Sequence, residues 1–110
     1  MRIVTVIIFV ASTFLSSAAH AAGTISVKSA SYGANCGVGN HNNATSSVQS
    51  QCDGHAACGY VVDHKILGDP APNCAKDFRV DWSCAEPGPM SAAHLAGEAG
   101  GQTVTLSCAD

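Results

Sequence analysis

Apolar and polar residues alternate along Ile25-Ser26-Val27-Lys28-Ser29-Ala30, the two-residue period of a half-buried strand. That strand is predicted to close in a turn at Tyr32-Gly33. Gly37 to Asn43 is rich in glycine and asparagine and reads as a loop. Asn43 then offers a helix N-cap. Ala44 to Cys52 makes a short helix with Val48 and Cys52 on its inner face, and Asp53-Gly54 ends it. A second strand is predicted over Cys58 to Val62. Leu67-Gly68-Asp69-Pro70-Ala71-Pro72-Asn73 is a turn, because its two prolines bring no ladder donor. Phe78, Val80, Trp82 and Cys84 share one face of a third strand, which places Trp82 in the core; Arg79, Asp81 and Ser83 share the other. Glu86 to Gly101, rich in Gly, Ala and Pro, reads as a loose connection. Gln102 to Cys108 closes the chain as a strand with Val104, Leu106 and Cys108 on one face. The sequence has no internal repeat. The expected fold class is α+β, a small domain of antiparallel strands with one or two short helices.

The N-terminus follows a different rule. Met1-Arg2 gives a positive start, Ile3 to Leu15 is almost wholly apolar, and Ala19-His20-Ala21 is a small-x-small cleavage site. Residues 1–21 therefore read as a secretory signal peptide. The apolar run is shorter than the roughly 20 residues a spanning helix needs. Residues 22–110 form one domain, expected to be secreted or periplasmic and not inserted in a membrane.

Export changes the meaning of the cysteines. Cys36, Cys52, Cys58, Cys74, Cys84 and Cys108 all follow the cleavage site. In a short exported chain they read as disulfide staples, each worth roughly 2–4 kcal/mol. Spacing alone leaves the pairing open. A zinc site is disfavoured: no CxxC pair occurs, and His41, His55, His64 and His94 hold no i, i+4 pair with an acid. No metal and no other cofactor is expected. A net charge of -3 with 12% charged residues excludes the basic footprint of a nucleic-acid binder. Catalysis is not expected either. Asp63 and Asp69 have no second domain with which to form a cleft, and no Ser-His-Asp or Cys-His arrangement has a recognisable elbow. Asn43-Ala44-Thr45 is a glycosylation sequon in a host that glycosylates.

Four motifs, in order, carry a resemblance. They are Ser29-Ala30-Ser31-Tyr32-Gly33, then Cys52-Asp53-Gly54 with Cys58, then Leu67-Gly68-Asp69-Pro70, then Lys76 to Cys84. Together they resemble the SUEL-type lectin domain, also called the galactose- or rhamnose-binding lectin domain, over Ile25 to Cys84. That family opens with a further strand that this chain lacks in that place. Residues 98–108, from Glu98 to Cys108, look like that strand moved to the C-terminus, so the domain is similar to a circular permutant. The moved strand is expected to zip in beside the first segment, with Glu86 to Leu95 as a flexible new connection. The resemblance implies the pairs Cys36–Cys74, Cys52–Cys58 and Cys84–Cys108. The family's additional N-terminal cysteine pair is missing.

The same resemblance implies a shallow sugar site at Tyr32, Asp69, Lys76 and Glu98. A carboxylate accepts hydrogen bonds from sugar hydroxyls, and a lysine donates to them. Tyr32 adds an apolar face with a polar tip. The implied function is a non-catalytic carbohydrate-binding module for a galactose- or rhamnose-type mono- or oligosaccharide. A single weak site would call for oligomers or tandem copies. Several departures point the other way. Ala34 stands where the family has arginine, and Asp69-Pro70-Ala71-Pro72-Asn73-Cys74 lengthens the family's D-P-C. The Lys76-Asp77-Phe78 segment differs from the family's K-Y-L, and His64 stands where asparagine is frequent. These favour the alternative, a small exported interaction or inhibitor protein that keeps the scaffold without the sugar.

Overall fold

A bulge in the first strand changes the parity of its apolar positions. The computed structural model describes residues 23–108, so the signal-peptide reading of 1–21 lies outside the described residues. Strand β1 spans Ser26–Tyr32 and pairs antiparallel with β3, Phe78–Ser83, with a register shift between Val27 and Ser29. Ile25 and Val27 point inward before the shift, and Ala30 and Tyr32 do so after it. The strand thus runs two residues beyond Ala30, to the glycine that turns it: Gly33 has a φ of 90°. A 3-10 turn over Ala34–Cys36 follows.

The free edge of β1 is closed by side chains rather than by another strand. Helix α1 is Thr45–Cys52. Thr45, Gln49 and Asp53 recur every four residues and line up along that edge. Thr45 Oγ1 accepts from Ala30 N at 2.9 Å, Gln49 Nε2 donates to Val27 O at 3.1 Å, and Asp53 Oδ1 accepts from Val27 N at 2.8 Å. Ala44, Val48 and Cys52 form the adjacent stripe and are fully buried. Asn43 belongs to the edge and not to the helix. The N-cap residue is Ala44, without a side-chain bond, while Asn43 accepts from Tyr32 N at 2.7 Å and donates to Tyr32 O at 2.8 Å. An unpaired strand edge leaves several backbone groups wanting partners, and satisfying it wins over one cap. The same bonds occupy the amide nitrogen that a glycan at the sequon would need.

Strand β2, Ala57–Val61, is followed by the short helix α2, His64–Leu67, whose N-cap Asp63 accepts from Lys65 N at 2.8 Å. Two expectations are corrected downstream. The loose segment 86–101 contains strand β4, Met90–Leu95, which pairs along the whole of β3. Its Ser-Ala-Ala-His centre carries little strand propensity, so the backbone ladder and the neighbouring strand hold it extended. Strand β5, Thr103–Ser107, lies beside β2 and not beside β1. Both sides of β1 are already occupied, one by β3 and the other by the Thr45, Gln49 and Asp53 side chains.

The result is a three-stranded sheet, β1-β3-β4, and a two-stranded sheet, β2-β5, both antiparallel. Between them lie Ile25, Val27, Phe78, Val80, Trp82, Tyr60, Val104 and Leu106, all buried. Tyr60 and Phe78 stack with ring centroids 5.5 Å apart, and the Tyr60 hydroxyl lies 2.7 Å from Ser47 Oγ. Burial pushes the Tyr60 hydroxyl above the ordinary tyrosine range. Trp82 Nε1 donates to Ser107 O at 3.3 Å, tying the two sheets. Disulfides join Cys36 to Cys74, Cys52 to Cys58 and Cys84 to Cys108, and no described cysteine is free. This is a small disulfide-stapled α+β fold suited to an oxidising, extracellular-type compartment. Among the described residues no helix is long and apolar enough to cross a membrane.

Candidate functional site

Lys76 stands where three separate chain segments meet. Gly33, at the end of β1, offers a bare Cα to the Lys76 stem: a side chain there would bring Cβ to 3.2 Å from Lys76 Cγ. Beside it, Asn35 and Asp77 clamp the two approaching loops. Asn35 Oδ1 accepts from Asp77 N at 2.9 Å, Asn35 Nδ2 donates to Ala75 O at 2.9 Å, and the Cys36–Cys74 bridge locks the same crossing. Asp77 also holds His94 Nε2 of β4 at 2.9 Å.

The lysine side chain is only 11% exposed, and its ammonium is fully engaged. It donates to Ala71 O and Cys74 O, each at 3.1 Å, and lies 2.7 Å from Asp69 Oδ1. An ammonium has three protons, and all three have acceptors here. Its nitrogen is also 5.7 Å from the centroid of the Tyr32 ring, within cation–π range. Tyr32 is buried, with its hydroxyl directed to Gly100, where a Cβ would lie 3.1 Å away. Glu98 arrives on the far side. Ala99 N donates to Lys76 O at 3.0 Å, and Glu98 itself, exposed, takes a φ of 64°. Its carboxylate is within electrostatic reach of Lys76 but forms no ion pair among the described residues.

Tyr32, Asp69, Lys76 and Glu98 are therefore brought together, with unequal freedom. Asp69 is half exposed and Glu98 is open, whereas Lys76 is spent on holding the turn Asp69–Cys74 in shape. His64, at the start of α2, is within electrostatic reach of Asp69.

Protonation follows from this geometry. The hydrogen bond to Lys76 holds the Asp69 carboxyl below the usual aspartate range, and Ala71 N–H and His64 act in the same direction. The hydrogen bond to Asp69 in turn pushes the Lys76 ammonium above the usual lysine range. A depressed carboxyl stabilises the fold above its unfolded pKa of about 3.9, and the gain is lost as pH falls through the folded value. A raised ammonium stabilises below its unfolded pKa of about 10.4, and that gain is lost as pH rises through the folded value. The pair is thus complete across neutral pH. In an NMR pH titration, the Asp69 carboxyl carbon is expected to titrate below ordinary aspartate, with the Ala71 and Cys74 amides moving at the same midpoint. An Asp69 midpoint at or above the ordinary value would show that the clamp does not form.

A second feature lies on the outer face of β1 and β3. Ser29, Ser31, Ala34, His41, Asn42, Arg79 and Asp81 line an open hollow of about 270 Å³. None of these was singled out as a ligand-binding residue by the motifs. The legible signal is parity: Arg79 and Asp81 occupy the outward positions of the β3 alternation, and Ser29 and Ser31 meet them from β1. The bulge hides the β1 half of that signal.

The chain matches no known family model, no curated protein and no solved structure.

Proposed function

We propose that this protein is a secreted, non-catalytic carbohydrate-binding module of the SUEL lectin type, with its opening strand moved to the C-terminus. One observation carries the reading. Residues far apart in the chain, Tyr32, Asp69 and Glu98, gather around the Lys76 ammonium. The arrangement assigns distinct roles. Lys76 is a positioning residue, since its protons are committed to Asp69 and two carbonyls. Asp69 and Glu98 are the open acceptors for a pair of sugar hydroxyls, while Tyr32 is buried and backs the Lys76 ammonium. The ligand proposed here is a galactose- or rhamnose-type ring, with affinity near 1 mM, about -4 kcal/mol.

A glycan array followed by calorimetry with methyl α-L-rhamnoside and methyl β-D-galactoside tests this. Asp69→Ala is expected to weaken binding by about ten- to a hundredfold, the value of a hydrogen bond to a charged group, roughly 1.5–3 kcal/mol. Lys65→Ala, on the exposed side of α2, is expected to leave binding unchanged. A second reading draws on the saturated Lys76 ammonium together with exposed Ile66 and Val61. In it the clamp is only scaffold, and the molecule is a small exported interaction or inhibitor protein. A folded protein that binds no glycan on the array would favour that reading over the lectin one.

A further inference from the structure

The hollow on the outer face of β1 and β3 is built from cross-strand pairs. Ser29 stands opposite Asp81, and Ser31 opposite Arg79, so four of its polar side chains are fixed by strand register rather than by loops. Ser29 Oγ donates to Asp81 Oδ2 at 3.1 Å, and Arg79 Nη2 lies 3.5 Å from Asp81 Oδ1. The carboxylate is thus held in place with lone pairs to spare, and the guanidinium keeps most of its donors.

Ser31 is the most buried of the four. It lines the hollow while only 7% exposed, so the sheet fixes its position. Its hydroxyl adds one more donor and acceptor to the wall of the hollow. Asn42 and His41 supply a further amide and imidazole at the rim, and Ala34 supplies an apolar patch. About 270 Å³ is just below the range of roughly 300–1,000 Å³ for drug-sized ligands. That suits one six-membered ring. Arg79 and Asp81 cancel in charge, so the wall favours a neutral ligand with adjacent hydroxyls over an anion.

We infer that this face is a second, independent binding site for a neutral pyranose ring. Tyr32 points to the other side of β1, so occupancy here requires nothing of the site proposed at Asp69. The domain would then present two separate sugar sites, and a single copy could bridge two glycans. Such bridging is the avidity that a weak module otherwise obtains only by oligomerising.

Amide NMR of the disulfide-intact protein tests this directly. Methyl α-L-rhamnoside, methyl β-D-galactoside and methyl α-D-mannoside are titrated into the tens of millimolar, where so shallow a site would saturate. The expected result is saturable shifts at Ser29, Asn42, Arg79 and Asp81 with at least one of the three. These shifts persist with less than about a twofold change in midpoint in Asp69→Ala, and weaken by about tenfold in Asp81→Asn and in Ser31→Val. Asp81→Asn keeps the test valid if Ser31→Val does not fold. Shifts confined to Asp69, Lys76 and Glu98 would overturn the second site while leaving the first. Absence of shifts at the hollow with all three glycosides would overturn it as well. Equal shifts with sodium sulfate alone would make the hollow an anion site and overturn the pyranose assignment.

Discussion

Phe78→Ala is expected to remove about 3–5 kcal/mol of stability, the range for truncating a buried aromatic ring. The position leaves little room for relaxation. Phe78 is fully buried, stands between Tyr32 and Leu95 in the three-stranded sheet, and stacks on Tyr60 of the other sheet. Its ring is therefore a joint between the layers, and collapse from one side would open a gap on the other. A domain of this size has a total margin of about 5–15 kcal/mol, so the loss is a large part of it. Function is expected to suffer with stability, because Lys76 lies two residues before Phe78 and Tyr32 pairs with it. Urea denaturation followed by tryptophan fluorescence reads the effect through Trp82. Phe78→Leu, which keeps most of the volume, is expected to recover well over half of the loss. A midpoint for Phe78→Ala within experimental error of the parent protein would show that the two sheets do not meet through this ring.

The face of β3 is legible in the sequence because Phe78, Val80 and Trp82 are large and strictly alternate with polar residues. Strand β5 is legible for the same reason, through Val104 and Leu106. Its neighbour is not. Pairing partners depend on which edges are free, and the edge of β1 is closed by the polar stripe Thr45-Gln49-Asp53, which looks like an ordinary exposed helix face until the strand is set against it. Strand β4 is hidden because Met90 to Leu95 lacks β-branched and aromatic residues and does not alternate strictly, so the ladder supplied by β3 decides it. The bulge after Val27 removes another clue, since it converts Ser29-Ala30-Ser31-Tyr32 from a continuation of the first alternation into its mirror image. Around Lys76, motif order names residues that the fold brings together. It does not reveal that Lys76 spends its three protons internally, because two of its acceptors are backbone carbonyls, Ala71 and Cys74, which no residue type announces.

Loop length ranks the disulfides, and the ranking is the second large effect. Cys36 and Cys74 are 38 residues apart, and Cys52 and Cys58 only 6. In the chain-entropy picture the longer loop denies the unfolded chain more freedom, so its bridge contributes about 3.9 kcal/mol against about 2.2 kcal/mol for the shorter one. Cys36→Ala/Cys74→Ala is therefore expected to destabilise by roughly 1.7 kcal/mol more than Cys52→Ala/Cys58→Ala. Burial works against this order. Cys52 is fully buried beside Val48, whereas Cys36 and Cys74 are only partly covered, so a cavity term at Cys52 would narrow the gap. The functional consequence separates the two contributions. The long bridge locks the crossing at Asn35 and Asp77 and carries the Cys74 carbonyl that Lys76 holds, so its loss is expected to weaken the glycoside binding proposed at Asp69. The short bridge closes the end of α1 and carries no carbonyl held by Lys76. Paired urea melts and glycoside titrations on the two double variants read both quantities. If the short bridge proves the costlier, packing around Cys52 outweighs loop closure. If the long bridge is lost without any change in an established glycoside affinity, the Asn35–Asp77 clamp alone is enough to hold Lys76 against Asp69.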